Sequence, residues 1–186
     1  MGSHVVIIGA GLTGSMVHYG LRRRAPHLRI SVWEAARGPG GRYNTSTSAI
    51  SSATADLGAQ YLTAFEPSKY GHYYQALLET GILRVLPADT ILGGRGSHYE
   101  QRHYAAPLGI AAVPKFFLGE EAHVSFGKRL VTLSKSADDR RWLLIDERGE
   151  RDHADIVVLT CPVPQAQPSL TIPPAYDPPT IPLSLG

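Results

Sequence analysis

Gly9, Gly11 and Gly14 stand at the spacing that lets a backbone lie against a pyrophosphate. They follow four β-branched residues, Val5-Val6-Ile7-Ile8, so a strand runs straight into G-x-G-x-x-G. The chemistry on offer is anion binding. Gly9 permits a tight turn off the strand, Gly11 lets backbone approach phosphate with no Cβ between, and Gly14 allows the next helix to pack close. That helix would present free N–H groups and a partial positive charge to the phosphates. Twenty residues after Gly14 comes Glu34, which can accept hydrogen bonds from ribose hydroxyls and repel a 2′-phosphate. Six residues further on, Gly40-Gly41-Arg42 would bring a second backbone loop and a forked donor to the same pyrophosphate. Taken alone, that segment would also fit a flexible loop ending in a solvated arginine.

These residues need elements to hold them. A helix over Ser15 to Ala25, burying Met16, Val17 and Leu21, and a strand over Leu28 to Trp33 complete a βαβ unit across residues 4–34. Residues 35–55 are rich in Gly, Ser, Thr and Ala and read as a loop around a ligand; Gly58 would again permit close backbone approach. Pro67 to Thr80 reads as a helix stopped by Gly81, with Tyr70, Tyr73, Tyr74, Leu77 and Leu78 as its apolar face. Strands are expected over 84–106 around Gly93-Gly94-Arg95-Gly96, and a helix over Pro107 to Leu118 that must start late or kink at Pro114. Three strands should follow, Val124 to Ser134, Trp142 to Asp146 and Ile156 to Thr160, broken at Ala137–Arg140 and Arg148–Glu150. From Pro162 onward lie eight of the fourteen prolines and a single charge, Asp177, a composition that reads as a disordered Pro-rich tail over 166–186.

Bulk properties exclude several classes. The 186 residues are 43% apolar with a net charge of +2, too little and too scattered a positive charge for nucleic acid. Arg22-Arg23-Arg24 suits a helix C-terminus. The eight histidines, His4, His18, His27, His72, His98, His103, His123 and His153, show no zinc spacing and are expected in solvated or capping roles. Cys161 is the one cysteine, expected to be buried, so no intramolecular disulfide forms. No apolar run is long enough for a membrane span. The N-terminus lacks a basic n-region, which favours a soluble, cytoplasmic protein.

With the motifs in hand, the chain resembles the flavin-dependent amine oxidase superfamily and, within it, the renalase family. The superfamily pattern is Gly9-x-Gly11-x-x-Gly14 with Glu34 and Gly40-Gly41-Arg42. The finer likeness includes Leu21-Arg22-Arg23, Val32-Trp33, Thr54-Ala55-Asp56-Leu57-Gly58-Ala59-Gln60-Tyr61 and Ala106-Pro107-Leu108-Gly109-Ile110. It ends in Val157-Val158-Leu159-Thr160-Cys161-Pro162-Val163-Pro164, covering about residues 4–165. The resemblance implies an α/β fold, a Rossmann-type FAD-binding domain with a β-meander and part of an α+β substrate domain. It implies an FAD-binding domain over 1–83 and 107–165, with 84–106 opening the substrate domain. Thr13, Arg42, Gln60 and Tyr61 fall on FAD contacts and Glu34 on the ribose. Gly9, Gly11, Leu12, Gly14, Gly41, Gly58 and Ala59 complete the expected cofactor set.

The cofactor implied is non-covalent FAD, and no catalytic side chain or metal ligand is assigned. The implied reaction is oxidation of aberrant NAD(P)H isomers, the α-anomer and misplaced dihydronicotinamides, to β-NAD(P)+, with O2 giving hydrogen peroxide. Two alternatives stand beside it. One is a generic flavin amine oxidase acting on catecholamines. The other is a truncated, catalytically inactive isoform that acts by binding partners. The family likeness also points to extracellular proteins, against the cytoplasmic reading of the N-terminus.

Overall fold

The computed structural model describes residues 2–64, 67–87, 102–135, 141–162 and 170–171. Its centre is a four-stranded parallel sheet in the order β12-β1-β2-β8. The strands are β1 (His4–Ile8), β2 (Arg29–Glu34), β8 (Val124–Phe126) and β12 (Ile156–Leu159). All of β1 is buried. Its residues alternate between two cores. Val5 and Ile7 pack with Val17 and Leu21 of helix α1 (Leu12–Arg24) and with Leu118 at the end of α3 (Ala112–Leu118). Val6 and Ile8 pack with Leu133, Leu144 and Ala154 of an antiparallel meander. Burial on both faces is why β1 reads as an unbroken apolar run rather than an alternating one.

The meander comprises β9 (Leu130–Lys135), β10 (Trp142–Asp146) and β11 (Arg151–Ala154), in the order β11-β10-β9-β13. The last, β13 (Leu170–Thr171), pairs in parallel with β9; the rest of 166–186 lies outside the described residues. A third core joins α1 and α3 to helix α2 (Pro67–Glu79) and to a sheet of order β5-β7-β6. Those strands are β5 (Leu62–Ala64), β6 (Arg84–Leu86) and β7 (Arg102–Ala105). Tyr73 and Phe117 meet edge to face there, and Tyr74 stacks on Tyr104.

Several expectations need correction. Helix α1 begins at Leu12, directly after Gly11, so Gly14 and Ser15 lie inside it and are buried. Residues 35–55 are not all loop: β3 (Thr45–Thr47) pairs antiparallel with β4 (Thr54–Asp56). The strand expected over Val124 to Ser134 is two strands in different sheets, β8 and β9, separated at Gly127 with φ +62°. The meander contains an extra strand, β11. Tyr70 is largely exposed on α2, and the Gly93–Gly96 turn and Ala137–Arg140 lie outside the described residues. Helix α3 starts late, which puts Pro114 in its first turn, where the missing N–H costs no helical bond. Among the described residues no helix is long and apolar enough to cross a membrane.

Two histidines depart from the solvated role. His4 is buried on β1, with Nδ1 near the His153 carbonyl and Nε2 near Ser31 Oγ. His18 is buried between α1 and α3, and its Nδ1 has no hydrogen-bond partner. Burial lowers its pKa below 6.5; the Arg22 charge adds to this, the Phe117 and Leu118 carbonyls oppose it, and His123 adds a further push down. The unfolded chain therefore binds a proton more readily than the folded one. Stability from this group is complete above pH 6.5 and is lost as pH falls through the lower folded value, with a slope of at most about 1.4 kcal/mol per pH unit. Urea unfolding between pH 7.5 and 5 should show this acid loss in the native chain, and His18→Gln should flatten it. Parallel curves for the two proteins would remove His18 as the source.

Candidate cofactor-binding site

The carboxyl ends of all four parallel strands open on one cleft of about 960 Å³. Its lining comes from the end of β1 and the turn after it (Ile8, Gly9), the end of β2 (Trp33, Glu34, Ala35), the segment after β8 (Lys128, Arg129, Leu130) and the segment after β12 (Thr160, Cys161, Pro162). This is where open α/β sheets bind ligands.

The fingerprint glycines have different reasons to be glycine. Gly9 has φ +106°, and a Cβ there would press on Thr160 Oγ1 at 2.8 Å. A Cβ on Gly14 would run into the Gly9 carbonyl oxygen. Both are therefore required by the fold. Gly11 is not: its φ is −70°, and a Cβ would meet only the Gly40 carbonyl at 3.7 Å. Its bareness matters toward the cleft it lines. Helix α1 starts there with no side-chain cap and no acidic residue in its first turn. Its N-terminal N–H groups are left for a ligand.

Two further stretches of backbone lie against the first. Gly40 N–H donates to Ala10 O at 2.9 Å, and Gly40 bridges to Gly11. Gly41, at φ +59°, comes so near that a Cβ would sit 3.6 Å from Gly11 Cα. On the other side Gly58 covers the Arg42 carbonyl, where any Cβ would clash, and Ala59 N–H donates to Arg42 O at 3.0 Å. Arg42 itself is exposed and in no ion pair among the described residues. Beside it, burial pushes the Tyr43 hydroxyl up in pKa, against the opposing charge of Arg42.

Glu34 sits at the strand end as expected, and its carboxylate does two jobs before any ligand arrives. Oε2 accepts from Ala10 N–H and Oε1 from Ala36 N–H, both at 2.7 Å. It thus fastens the glycine turn to the end of β2, and each oxygen keeps a lone pair for a ribose hydroxyl. Of the expected cofactor set, Gly9, Gly11, Leu12, Thr13, Glu34, Gly41, Arg42, Gly58 and Ala59 line the cleft. Gly14 lies beneath it, packed on Gly9. Gln60 and Tyr61 do not line it; Tyr61 turns its ring edge to His103 on β7, 5.8 Å away. Cys161, expected to be buried, is partly buried against the meander core and lines the cleft.

Trp33, Lys128, Arg129, Leu130 and Thr160 line the cleft without having been singled out as ligand residues. Lys128 Nζ lies 4.3 Å from the centroid of the Trp33 ring and 3.1 Å from Glu150, with buried Asp146 at 3.9 Å. Asp146 in turn accepts the Arg148 and Glu150 N–H groups, which shapes the β10–β11 turn. The order of strands in the sheet brings Lys128, Arg129, Leu130 and Thr160 to Glu34. Among the described residues no His, Cys, Asp and Glu cluster could hold a metal.

Fold and cleft together define a Rossmann-like α/β protein, and residues 7–79 match the family described as NAD(P)-binding Rossmann-like domain. The particular likeness is to renalase. Over 171 residues the chain is 36% identical to renalase of Mus musculus, taking in 88% of this chain and 48% of the relative. The chain thus spans about half the length of the curated relative it matches. A solved structure from Exiguobacterium sp. 255-15, assigned as a protoporphyrinogen oxidase, aligns with a TM-score of 0.65 over 90% of this chain and 61% of that one. At 14% identity this likeness speaks for the fold alone.

The glycine geometry makes a prediction that separates folding from binding. Gly11→Ala should leave the unfolding midpoint nearly unchanged and weaken ADP binding at least tenfold, about 1.4 kcal/mol. Gly14→Ala should lower the midpoint itself. Calorimetric titration with ADP beside urea unfolding checks both; equal ADP affinity in native and Gly11→Ala proteins would show that nothing approaches Gly11.

Proposed function

We propose that the chain is the cofactor-holding part of a renalase-type flavin oxidoreductase and binds FAD non-covalently. The observation that carries this reading is the uncapped start of α1 facing a cleft walled by three bare backbone stretches, 9–11, 40–42 and 58–59. A diphosphate fits such a cradle: the N–H groups of the first turn and the Arg42 fork supply donors, and the bare glycines leave it room. Glu34 would take the ribose hydroxyls on its remaining lone pairs. Gln60 and Tyr61, just beyond Ala59, would meet the cofactor farther from the pyrophosphate. Residues 1–83 and 107–165 would form the cofactor domain. The strands of 84–106 would open the substrate domain, although they share a sheet with β5 of the cofactor part.

FAD supplies the hydride acceptor: a dihydronicotinamide isomer would be oxidised to β-NAD(P)+, and O2 would take up the electron pair as hydrogen peroxide. The protein's part is to bind, orient and exclude water. The renalase likeness favours the α-anomer and misplaced dihydronicotinamides as substrates, and a small molecule with oxygen as the only partners. The protein incubated with FAD and desalted should keep flavin absorbance, and the flavin-loaded chain should make peroxide from α-NADH and not from a catecholamine. Turnover of the catecholamine alone would favour the amine-oxidase reading. Loss of all flavin together with no ADP binding would contradict the proposal.

A further inference from the structure

The hairpin β3–β4 is more than an excursion between glycine loops. Its ladder pairs Thr45 with Asp56 and continues past the strands, with Leu57 N–H donating to Asn44 O and Ala59 N–H to Arg42 O. Two walls of the cleft, 40–42 and 58–59, are therefore the two arms of one hairpin. At the point where those arms leave the ladder, three elements meet. Thr45 Oγ1 donates to Asp56 Oδ1 at 2.6 Å. The same carboxylate oxygen accepts from Ile110 N–H at 2.9 Å, and Thr45 Oγ1 accepts from Ala111 N–H at 3.0 Å. Gly109, at φ +89°, leaves no space for a Cβ against the Thr45 side chain. Ile110 and Ala111 are buried and lead into α3, which packs on α1.

We propose that Thr45 and Asp56 are positioning residues for the nucleotide cleft: they clamp the hairpin to the 109–111 turn and so set how closely Gly41, Arg42, Gly58 and Ala59 stand to Gly11. The pair lines no part of the cleft. It acts by fixing the backbone whose N–H groups and bare glycines form the wall. The chain of contact runs from the start of α1, through α3 and the 109–111 turn, to the hairpin and back to the cleft. This inference rests on the reading of the cleft as a nucleotide site.

The test uses Thr45→Val, which keeps the shape and removes the hydroxyl, Thr45→Ser, which restores it, and Asp56→Asn. ADP affinity is measured by calorimetry at a temperature where every variant is folded by circular dichroism, with the amide shifts of Arg42 and Ala59 followed by NMR. Thr45→Val should bind ADP roughly tenfold more weakly, the equivalent of one supporting hydrogen bond, with both amides shifted before ligand is added. Thr45→Ser should return both readouts toward native, and Asp56→Asn, which keeps the Oδ1 acceptor but loses the charge, should fall between native and Thr45→Val. A lower melting temperature in Thr45→Val with unchanged ADP affinity and unshifted amides would make the pair purely structural and overturn the proposal. No ADP binding by the native chain would overturn the nucleotide reading and the clamp with it.

Discussion

Everything at the cleft depends on backbone meeting backbone with no side chain between. The Gly40 N–H to Ala10 O bond brings the second loop onto the first, and Glu34 ties both Ala10 and Ala36 to the end of β2. Gly58 closes over the Arg42 carbonyl from the other side. Apart from the Glu34 ties, each contact needs a missing Cβ, a positive φ or both. Gly9, Gly14, Gly40 and Gly58 answer to the protein's own packing. Among the cleft's glycines Gly11 is the one that neither a positive φ nor a clash within the protein requires, as a ligand passing over it would explain.

The sheet makes this arrangement rigid. β1, buried on both faces, cannot slip register without moving apolar side chains into the wrong core, which keeps its end level with those of its partners β2 and β12. The meander covers one face and carries its own fastening to the cleft. The Lys128 ammonium lies over Trp33 and reaches Glu150 and Asp146, and the Lys128 N–H donates to Glu34 O at 2.9 Å. The backbone that ends β2 and the turn that ends β10 are thus joined at the same edge.

Much of this is local and so was legible in the sequence. The βαβ unit, the Gly81 stop and the late start of α3 follow from periodicity, from a terminator and from the chemistry of proline. The resemblance to renalase-type proteins and the Rossmann-type α/β fold stand with the measured identity and the structural likeness. Non-local pairing was not legible. Residues 124–134 look like one apolar strand, yet Gly127 N–H bonds to Ala36 O and the chain changes sheets there. The β3–β4 hairpin is short and polar, with no periodic signal to reveal it. His18 was misjudged because one histidine on a helix says nothing of the second helix that covers it. Lys128 and Arg129 enter the cleft through the position of β8 beside β2, which no spacing along the chain encodes.

Amide NMR on the full chain titrated with ADP tests the central claim most directly, because each wall of the cleft is backbone. The account predicts that Gly11 to Gly14, Gly40 to Arg42 and Gly58 to Ala59 shift together along one binding curve, with Lys128 to Leu130 following at the nucleoside end. Shifts confined to one of these stretches, or centred instead on the Tyr70, Tyr73 and Phe117 surface, would contradict it.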